Sequence, residues 1–332
     1  MNQQRGALAP SPCLSPIQGE GWGVGSADTA RKALPGPTPT PALPLSGGGS
    51  HANTWTERRL ALPHGCLVLR EAAPDAPGPP VLLLHGISSG AGSWAALADG
   101  LPGRRLLAWD TPGYGHSAAL PQRRPSADDY AEVAALMLIE LGVRQALLVG
   151  HSLGASIATA LAARLLANAN GPQPTGLLLL SPATGYAADP VRAAQVQAQR
   201  LQALAAQGVA GLAQTVSRRL LSAQASPAQH AQVAQVAQGL TALGYTQAVH
   251  LLCHSDLPGL LASIPPRLLA CLPARMACGS DDIVTPPAAC AALAGSLGLP
   301  FRLLPGAGHA CAVEQPQAVA ALIAAMLPQA MP

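Results

Sequence analysis

The chain of 332 residues has a formal net charge of +3 and is 49% hydrophobic, 11% charged and 3% aromatic. The small positive net charge argues against a protein that binds nucleic-acid phosphates, and the low fraction of charged residues argues against a disordered protein. We therefore expect a small-molecule partner. No apolar run approaches the roughly 18 residues of a membrane span, and the 7 cysteines, which form no Cys-x-x-Cys motif, favour reduced thiols in the cytoplasm.

The first 54 residues are rich in Gly, Pro and Ser, with PGPTPTP over residues 35–41 and SGGGS over residues 46–50. Such a composition offers little apolar surface to bury, so we expect residues 1–54 to be a disordered extension. Prolines interrupt every apolar run that could serve as a secretory signal, so export is not indicated.

From Trp55 onward, short apolar runs alternate with stretches of helical periodicity. Residues 55–60 and 65–70 are predicted to form an opening hairpin. Six further runs are apolar enough to be strands covered on both faces: residues 81–84, 105–109, 145–149, 176–180, 275–278 and 301–304. Predicted helices lie near residues 93–101, 127–141, 153–167, 287–297 and 315–327. This alternation predicts an α/β fold, a mostly parallel β-sheet with helices on both faces.

One long segment breaks the alternation, because Ala, Gln and Leu recur at helical spacing over residues 186–272. We predict a helical insertion whose helices stop at Gly208, Pro227, Gly244 and Pro258. The α/β core would then consist of residues 55–185 and 273–332.

A serine motif, GHSLG over residues 150–154, directly follows the predicted strand at residues 145–149. The carboxyl ends of parallel strands carry the chemistry of such sheets. On a tight strand-to-helix turn, Ser152 would be held in strained backbone geometry with its hydroxyl available for attack. A structural turn serine is the alternative interpretation.

A serine hydroxyl needs a base and an orienting carboxylate, which we expect in the order Ser, Asp, His. Both residue types follow predicted strands. Asp281 and Asp282 come after the strand at residues 275–278, and His309 ends a Gly-rich loop after the strand at residues 301–304.

These motifs together make the chain, from about residue 55 to its end, resemble the α/β-hydrolase family. GHSLG matches its nucleophile turn, GSDDIVTP over residues 279–286 its acid loop, and DTPGYGHS over residues 110–117 its early Gly-rich turn. The resemblance implies a catalytic triad in which Ser152 is the nucleophile, His309 the general base and then acid, and Asp282 the orienting carboxylate. It also implies that the helical insertion is a cap over the nucleophile.

The acid position has two neighbouring candidates, and only one of them can point at the imidazole. The family places the acid three residues after Gly279, which selects Asp282 and leaves Asp281 as a solvated loop carboxylate. Glu314 is interpreted as a charge favoured at a helix start rather than as a triad member. Among the remaining histidines, His85 is interpreted as a loop buttress, and three are candidates for lining a cavity: His116, His250 and His254.

The oxyanion formed on attack needs about two backbone N–H donors. Leu153, directly after the nucleophile, is the first expected donor. The segment HGISSG over residues 85–90 resembles the family's His-Gly loop, in which Ile87 is the first choice for the second donor and Ser88 the alternative.

Other chemistries can be weighed against these residues. Ser152 stands where the family's dehalogenases and epoxide hydrolases carry an Asp nucleophile, so neither reaction is expected. The sequence holds no metal-ligand motif and no dinucleotide fingerprint, so no metal and no cofactor are expected.

We predict a serine hydrolase of small carboxylic esters or lactones, esterase-like or enol-lactonase-like. A thioesterase, a carbon–carbon bond hydrolase and a non-catalytic accessory protein of this fold stay open.

The predicted insertion carries the whole positive surplus of the chain, five arginines against two aspartates. One hypothesis is a cap that attracts carboxylate-bearing substrates, and the other is that these arginines only solvate helix faces. The arginines are Arg192, Arg200, Arg218, Arg219 and Arg267.

Overall fold

The computed structural model describes residues 54–327, which form an 8-stranded sheet with helices packed on it. The strands are β1 Thr56–Leu62, β2 Gly65–Ala72, β3 Val81–Leu84, β4 Leu106–Trp109, β5 Gln145–His151, β6 Gln173–Leu180, β7 Ala274–Gly279 and β8 Phe301–Leu304. Apart from Thr54, the predicted extension lies outside the described residues. Within them, no helix combines the length and the apolar character that a bilayer span requires.

The sheet order is β1-β2-β4-β3-β5-β6-β7-β8. Strands β1 and β2 form the predicted hairpin, β2 pairs antiparallel with β4, and every later pairing is parallel. The α/β prediction is therefore confirmed.

Alternate side chains of the central strands enter two separate cores, one on each face of the sheet. In β3, Leu82 and Leu84 join the core that contains Tyr130, whereas Val81 and Leu83 join the core that contains Trp94. A strand apolar at every position is stable only with both faces covered, which explains its uniform sequence.

The helices that follow the strands are α1 Ala127–Glu140, α2 Gly154–Ala167, α8 Pro287–Ser296, α9 Cys311–Glu314 and α10 Pro316–Ala324. The α-helix predicted near residues 93–101 is instead a 3₁₀ helix over Ala91–Gly100. Its buried residues include Ala91, Trp94 and Leu97. Because these three lie three positions apart, a helix with three residues per turn directs them all to the core.

Between β6 and β7 lie five helices, α3 Pro190–Leu220, α4 Pro227–Ala237, α5 Ala242–His254, α6 Leu257–Ser263 and α7 Pro266–Cys271. At Gly208 the helical geometry of α3 is interrupted, as predicted, but a second helical segment follows directly. The other three predicted stops are wrong. Pro227 and Pro258 open helices, where a missing N–H costs nothing. Gly244 lies in the first turn of α5, where a Cβ would collide with the backbone of Gly113.

The turn from β5 into α2 depends on a glycine. A Cβ on Gly154 would collide with the carbonyl oxygen of Leu84 and lie 2.7 Å from that of His85. We expect Gly154→Ala to lower the free energy of unfolding by about 1–3 kcal/mol, because the strand and the helix would have to separate. Urea denaturation measures this loss.

Gly295 in α8 is the matched control for that substitution, since nothing lies within 4 Å of its Cβ position. Gly295→Ala should stabilise the protein by about 0.5–1 kcal/mol, as alanine does in an open helical position. Equal effects of the two substitutions would contradict the packing argument.

Candidate active site

Ser152 lies on the sharp turn between β5 and α2 with a φ of 54°. Few residues other than glycine adopt this left-handed conformation, which costs about 1–2 kcal/mol. Hydrogen bonds on both sides hold it: the Ser152 N–H donates to Leu180 O at 3.0 Å, and Ser152 O accepts from Ala155 N at 3.0 Å and Ala183 N at 3.2 Å. The strained turn predicted for this serine is present.

Gly86 lets the loop after β3 approach the serine closely. A Cβ at Gly86 would lie 2.8 Å from Ser152 Cβ and 3.3 Å from its Oγ. Any larger residue would therefore separate the loop that contains Ile87 from the serine hydroxyl.

Asp282 and His309 are brought together from the loops after β7 and β8. His309 Nδ1 donates a hydrogen bond of 2.8 Å to Asp282 Oδ2, and both residues are buried, 3% exposed each. Their loops can meet because Gly279 has no Cβ, which would collide with the carbonyl oxygens of Ala307 and Gly308.

The Asp282 carboxylate accepts further hydrogen bonds from its own loop. Its Oδ1 accepts from the N–H groups of Val284 at 2.8 Å and Thr285 at 2.9 Å, and its Oδ2 accepts from the Thr285 hydroxyl at 2.8 Å. Burial by itself would raise the pKa of Asp282, but the hydrogen bonds from His309 and Thr285 outweigh it and hold that pKa well below its usual range. The carboxylate is therefore ionised at neutral pH.

Asp281, the other candidate acid, is exposed and forms no hydrogen bond with the imidazole among the described residues. Its carboxylate accepts a hydrogen bond from the Ser280 hydroxyl at 2.8 Å, and its N–H donates to Ala307 O. The structure thus pairs His309 with Asp282 and leaves Asp281 in solvent.

A second histidine, His151, packs against His309. Because the His309 carbonyl oxygen can only accept, His151 Nε2 donates the 2.7 Å hydrogen bond between them, and the two rings lie 4.8 Å apart. Burial, followed by the charge of His309, lowers the pKa of His151 to about 3, so its ring is neutral. A neutral His151 therefore supports the loop that carries His309 and does not compete with the His309 ring for a proton.

His85 connects two loops beside the serine. Its Nε2 accepts from the Thr111 N–H at 3.0 Å, so its Nδ1 carries the proton and donates to Gly86 O at 2.9 Å. Burial lowers the pKa of His85, which favours this neutral form. The geometry agrees with a loop buttress.

The backbone N–H groups of Ile87 and Leu153 are free for a ligand. Among residues 54–327, neither donates a hydrogen bond to a protein acceptor. Ile87 and Ser88 line the cavity at Ser152, and Leu153, directly after the serine, is the N-cap residue of α2.

Glu314 has a role that sequence reasoning missed. It ends α9, and its carboxylate accepts from Gly308 N at 2.7 Å and from Ser222 N at 2.9 Å. It therefore links the loop that carries His309 to the helical insertion. Glu314 also lies in the first turn of α9, in agreement with the predicted helix-start charge. No local pattern could reveal this link, because the two amides are 86 positions apart in the sequence.

A cavity of about 170 Å³ contains both Ser152 and His309. Its lining is largely apolar, with Val284 and Leu293 from the core and Leu252 from the insertion. Two of the five arginines of the insertion, Arg200 and Arg219, line this cavity. The other three do not: Arg192, Arg218 and Arg267.

None of the three histidines predicted to line a cavity lies at Ser152, although two of them line another cavity. His250 and His254 stack at 4.0 Å and line a separate surface cavity, and His116 is exposed. In the described part of the chain, no group of three or more His, Cys, Asp or Glu residues could hold a metal ion. Its six cysteines are free thiols.

Comparison with known proteins places this geometry in context. A family model described as "Alpha/beta hydrolase family" matches residues 81–322. The pimeloyl-[acyl-carrier protein] methyl ester esterase of Vibrio vulnificus is 40% identical over 86 residues, which is 26% of this chain and 31% of that one. The curated relatives are matched over only 22% to 32% of their own lengths.

Two solved structures share the fold at low sequence identity. A thermophilic esterase from Thermogutta terrifontis, solved with malate bound, superposes with a TM-score of 0.68 at 22% identity, over 81% of this chain and 97% of that one. The enol-lactonase from Burkholderia xenovorans superposes with a TM-score of 0.69 at 21% identity, over 81% and 99%.

Proposed function

Because this chain belongs to the alpha/beta hydrolase family, we propose that it hydrolyses a small carboxylic ester or lactone through an acyl-enzyme on Ser152. One observation carries the proposal: a serine at positive φ shares a cavity with His309, whose Nδ1 is hydrogen-bonded to Asp282. The name of the Vibrio relative, a methyl ester esterase, supports the ester as the substrate class.

In the first half-reaction, Ser152 Oγ attacks the substrate carbonyl carbon while His309 Nε2 takes the hydroxyl proton. Asp282 keeps Nδ1–H in place and stabilises the imidazolium that forms. The N–H groups of Ile87 and Leu153 donate to the developing oxyanion, an interaction that can contribute about 3–4 kcal/mol per donor.

The intermediate then collapses. The bond from the acyl carbon to the alcohol oxygen breaks, and His309 Nε2–H gives its proton to that oxygen. In an ester the alcohol leaves, whereas in a lactone it stays attached to the acyl group. His309 next removes a proton from water, which attacks the acyl carbon. The bond from that carbon to Ser152 Oγ then breaks, and His309 Nε2–H returns its proton to Oγ, which releases the carboxylic acid and restores the serine hydroxyl. No cofactor takes part.

The proposal also assigns roles to the parts of the chain. Residues 55–185 and 273–332 are the catalytic core, and residues 186–272 are a cap over Ser152. Five cavity-lining residues from the helical insertion support the cap: Tyr186, Arg200, Arg219, Leu220 and Leu252.

A substrate panel tests this function and separates it from its alternatives. Purified protein is assayed with p-nitrophenyl esters, lactones and acyl thioesters of matched acyl length. We expect the highest kcat/KM on an oxygen ester or lactone. A preference for thioesters would make the protein a thioesterase. A lack of turnover on the whole panel would refute the proposed function and leave the carbon–carbon bond hydrolase and the non-catalytic accessory protein as the alternatives.

A further inference from the structure

The cavity at Ser152 adjoins a second cavity of about 380 Å³. Four residues line both cavities, Ser88, Tyr186, Arg200 and Arg219. A substrate that reaches Ser152 from the second cavity, here named the outer cavity, therefore passes two guanidinium groups.

The interruption of α3 brings these two arginines to one place. Arg200 belongs to the helical segment before Gly208 and Arg219 to the segment after it, and residues of both segments line the outer cavity. Gly208 has a φ of 63° and a ψ of −179°, a conformation that is essentially restricted to glycine. Two arginines 19 positions apart in the sequence thus face the same space.

The charges of this pair are not balanced by the protein. In the described part of the chain, neither guanidinium forms an ion pair with a carboxylate. Arg200 donates a 3.2 Å hydrogen bond to the Tyr245 hydroxyl, a neutral partner. Partial removal from solvent and the like charge of Arg200 lower the pKa of Arg219, although part of its side chain stays exposed. Two like charges placed together without a counterion favour an anionic ligand.

The other arginines of the insertion show that this placement is selective. Arg218 and Arg219 are adjacent and both are exposed, but only Arg219 lines the two cavities. Arg267 lines neither, and Arg192 lines only the outer cavity. Solvation of helix faces accounts for Arg218 and Arg267, but it does not account for the shared position of Arg200 and Arg219.

Building on the proposed function, we propose that Arg200 and Arg219 form a subsite for an anionic oxygen group of the substrate, a carboxylate or a phosphate, at the junction of the two cavities. Guanidinium groups suit both anions, because their N–H groups match pairs of anionic oxygens. The substrate would be an ester or lactone with its reacting carbonyl at Ser152 and its anionic end toward the outer cavity.

Three p-nitrophenyl esters of equal chain length test this subsite. One ends in a carboxylate, one in a phosphonate and one in the neutral methyl ester of the carboxylate. We expect the kcat/KM of at least one anionic ester to exceed that of the neutral ester by about tenfold, which corresponds to about 1.4 kcal/mol. The identity of the preferred anion distinguishes carboxylate from phosphate recognition. Equal kcat/KM for all three esters would overturn the subsite.

Variants locate the preference within the cap. Arg200→Gln and Arg219→Gln should each reduce the anionic-to-neutral ratio to about twofold or less, chiefly through KM, because the arginines bind the ground state and the transition state alike. Arg219→Lys should retain part of the ratio. Arg218→Gln is the matched control and should keep it. If Arg218→Gln lowered the anionic-to-neutral ratio as much as Arg219→Gln does, the preference would come from the overall positive charge of the cap and the subsite would be overturned.

A binding measurement separates this inference from the proposed function. Calorimetry with glutarate and with inorganic phosphate is performed on the Ser152→Ala protein, which needs no turnover. At least one of the two anions should bind. Its Kd should be about tenfold higher for the double variant that also carries Arg219→Gln. Unchanged binding, or binding of neither anion, would overturn the subsite even if esters are hydrolysed. Conversely, arginine-dependent binding by a protein that hydrolyses no ester would refute only the proposed function.

Discussion

Ser152→Ala is expected to lower kcat by about 10⁶-fold, because it removes the oxygen that forms the acyl-enzyme. The change removes only one oxygen from a residue whose backbone is held by neighbouring hydrogen bonds, so the melting temperature should stay within a few degrees. Steady-state kinetics on the best ester of the panel measures the loss.

Ser156→Ala is the matched control for the nucleophile. Ser156 lies one turn along α2, fully buried, and its hydroxyl has no hydrogen-bond partner in the described structure. Its replacement should leave kcat unchanged within about twofold. More than a few per cent of activity remaining in Ser152→Ala would contradict the assignment of the nucleophile.

The second large effect is expected at the acid. Asp282→Asn should lower kcat by at least about 10²-fold, because an amide cannot stabilise the imidazolium and disfavours the tautomer with the proton on Nδ1. Asp281→Asn should change kcat by less than about twofold, since that carboxylate is exposed.

This comparison of adjacent residues controls for loop damage, because both substitutions keep the shape of the side chain. The pair is measured at saturating substrate, so that differences in KM do not enter. A larger loss in Asp281→Asn than in Asp282→Asn would move the acid by one residue and contradict the hydrogen bond between Asp282 and His309.

Local backbone rules explain why the central geometry could be predicted. Ser152 directly follows a buried strand, with Gly150 and Gly154 two positions away on either side. Asp282 and His309 each follow a strand of the same sheet. Parallel strands direct their carboxyl ends to one edge, so order along the chain is enough to bring these residues together. The choice of Asp282 over Asp281 required the family's spacing.

The features that were missed depend on contacts between distant segments. Arg200 and Arg219 line the same cavities because the helix is interrupted at Gly208. A glycine in an Ala-rich helical stretch predicts such an interruption, but it does not predict the direction of the helical segment that follows. Similarly, the sequence around Glu314 contains no sign of its bond to Ser222.

Errors in the predicted helices have a different origin. The sequence predicts helix stops at Pro227 and Pro258, yet proline is equally suited to the first turn of a helix. A pattern of apolar residues does not distinguish the two positions. The 3₁₀ helix over Ala91–Gly100 was missed because its buried residues also fit an α-helical pattern with neighbours three or four apart.

Labelling with a fluorophosphonate, followed by peptide mass spectrometry, tests the central claim most directly, since the reagent reacts only with a serine activated by a neighbouring base. We predict a single adduct on Ser152, much slower labelling in His309→Ala and no adduct in Ser152→Ala. No labelling of the parent protein, or an adduct on a different serine, would contradict the account.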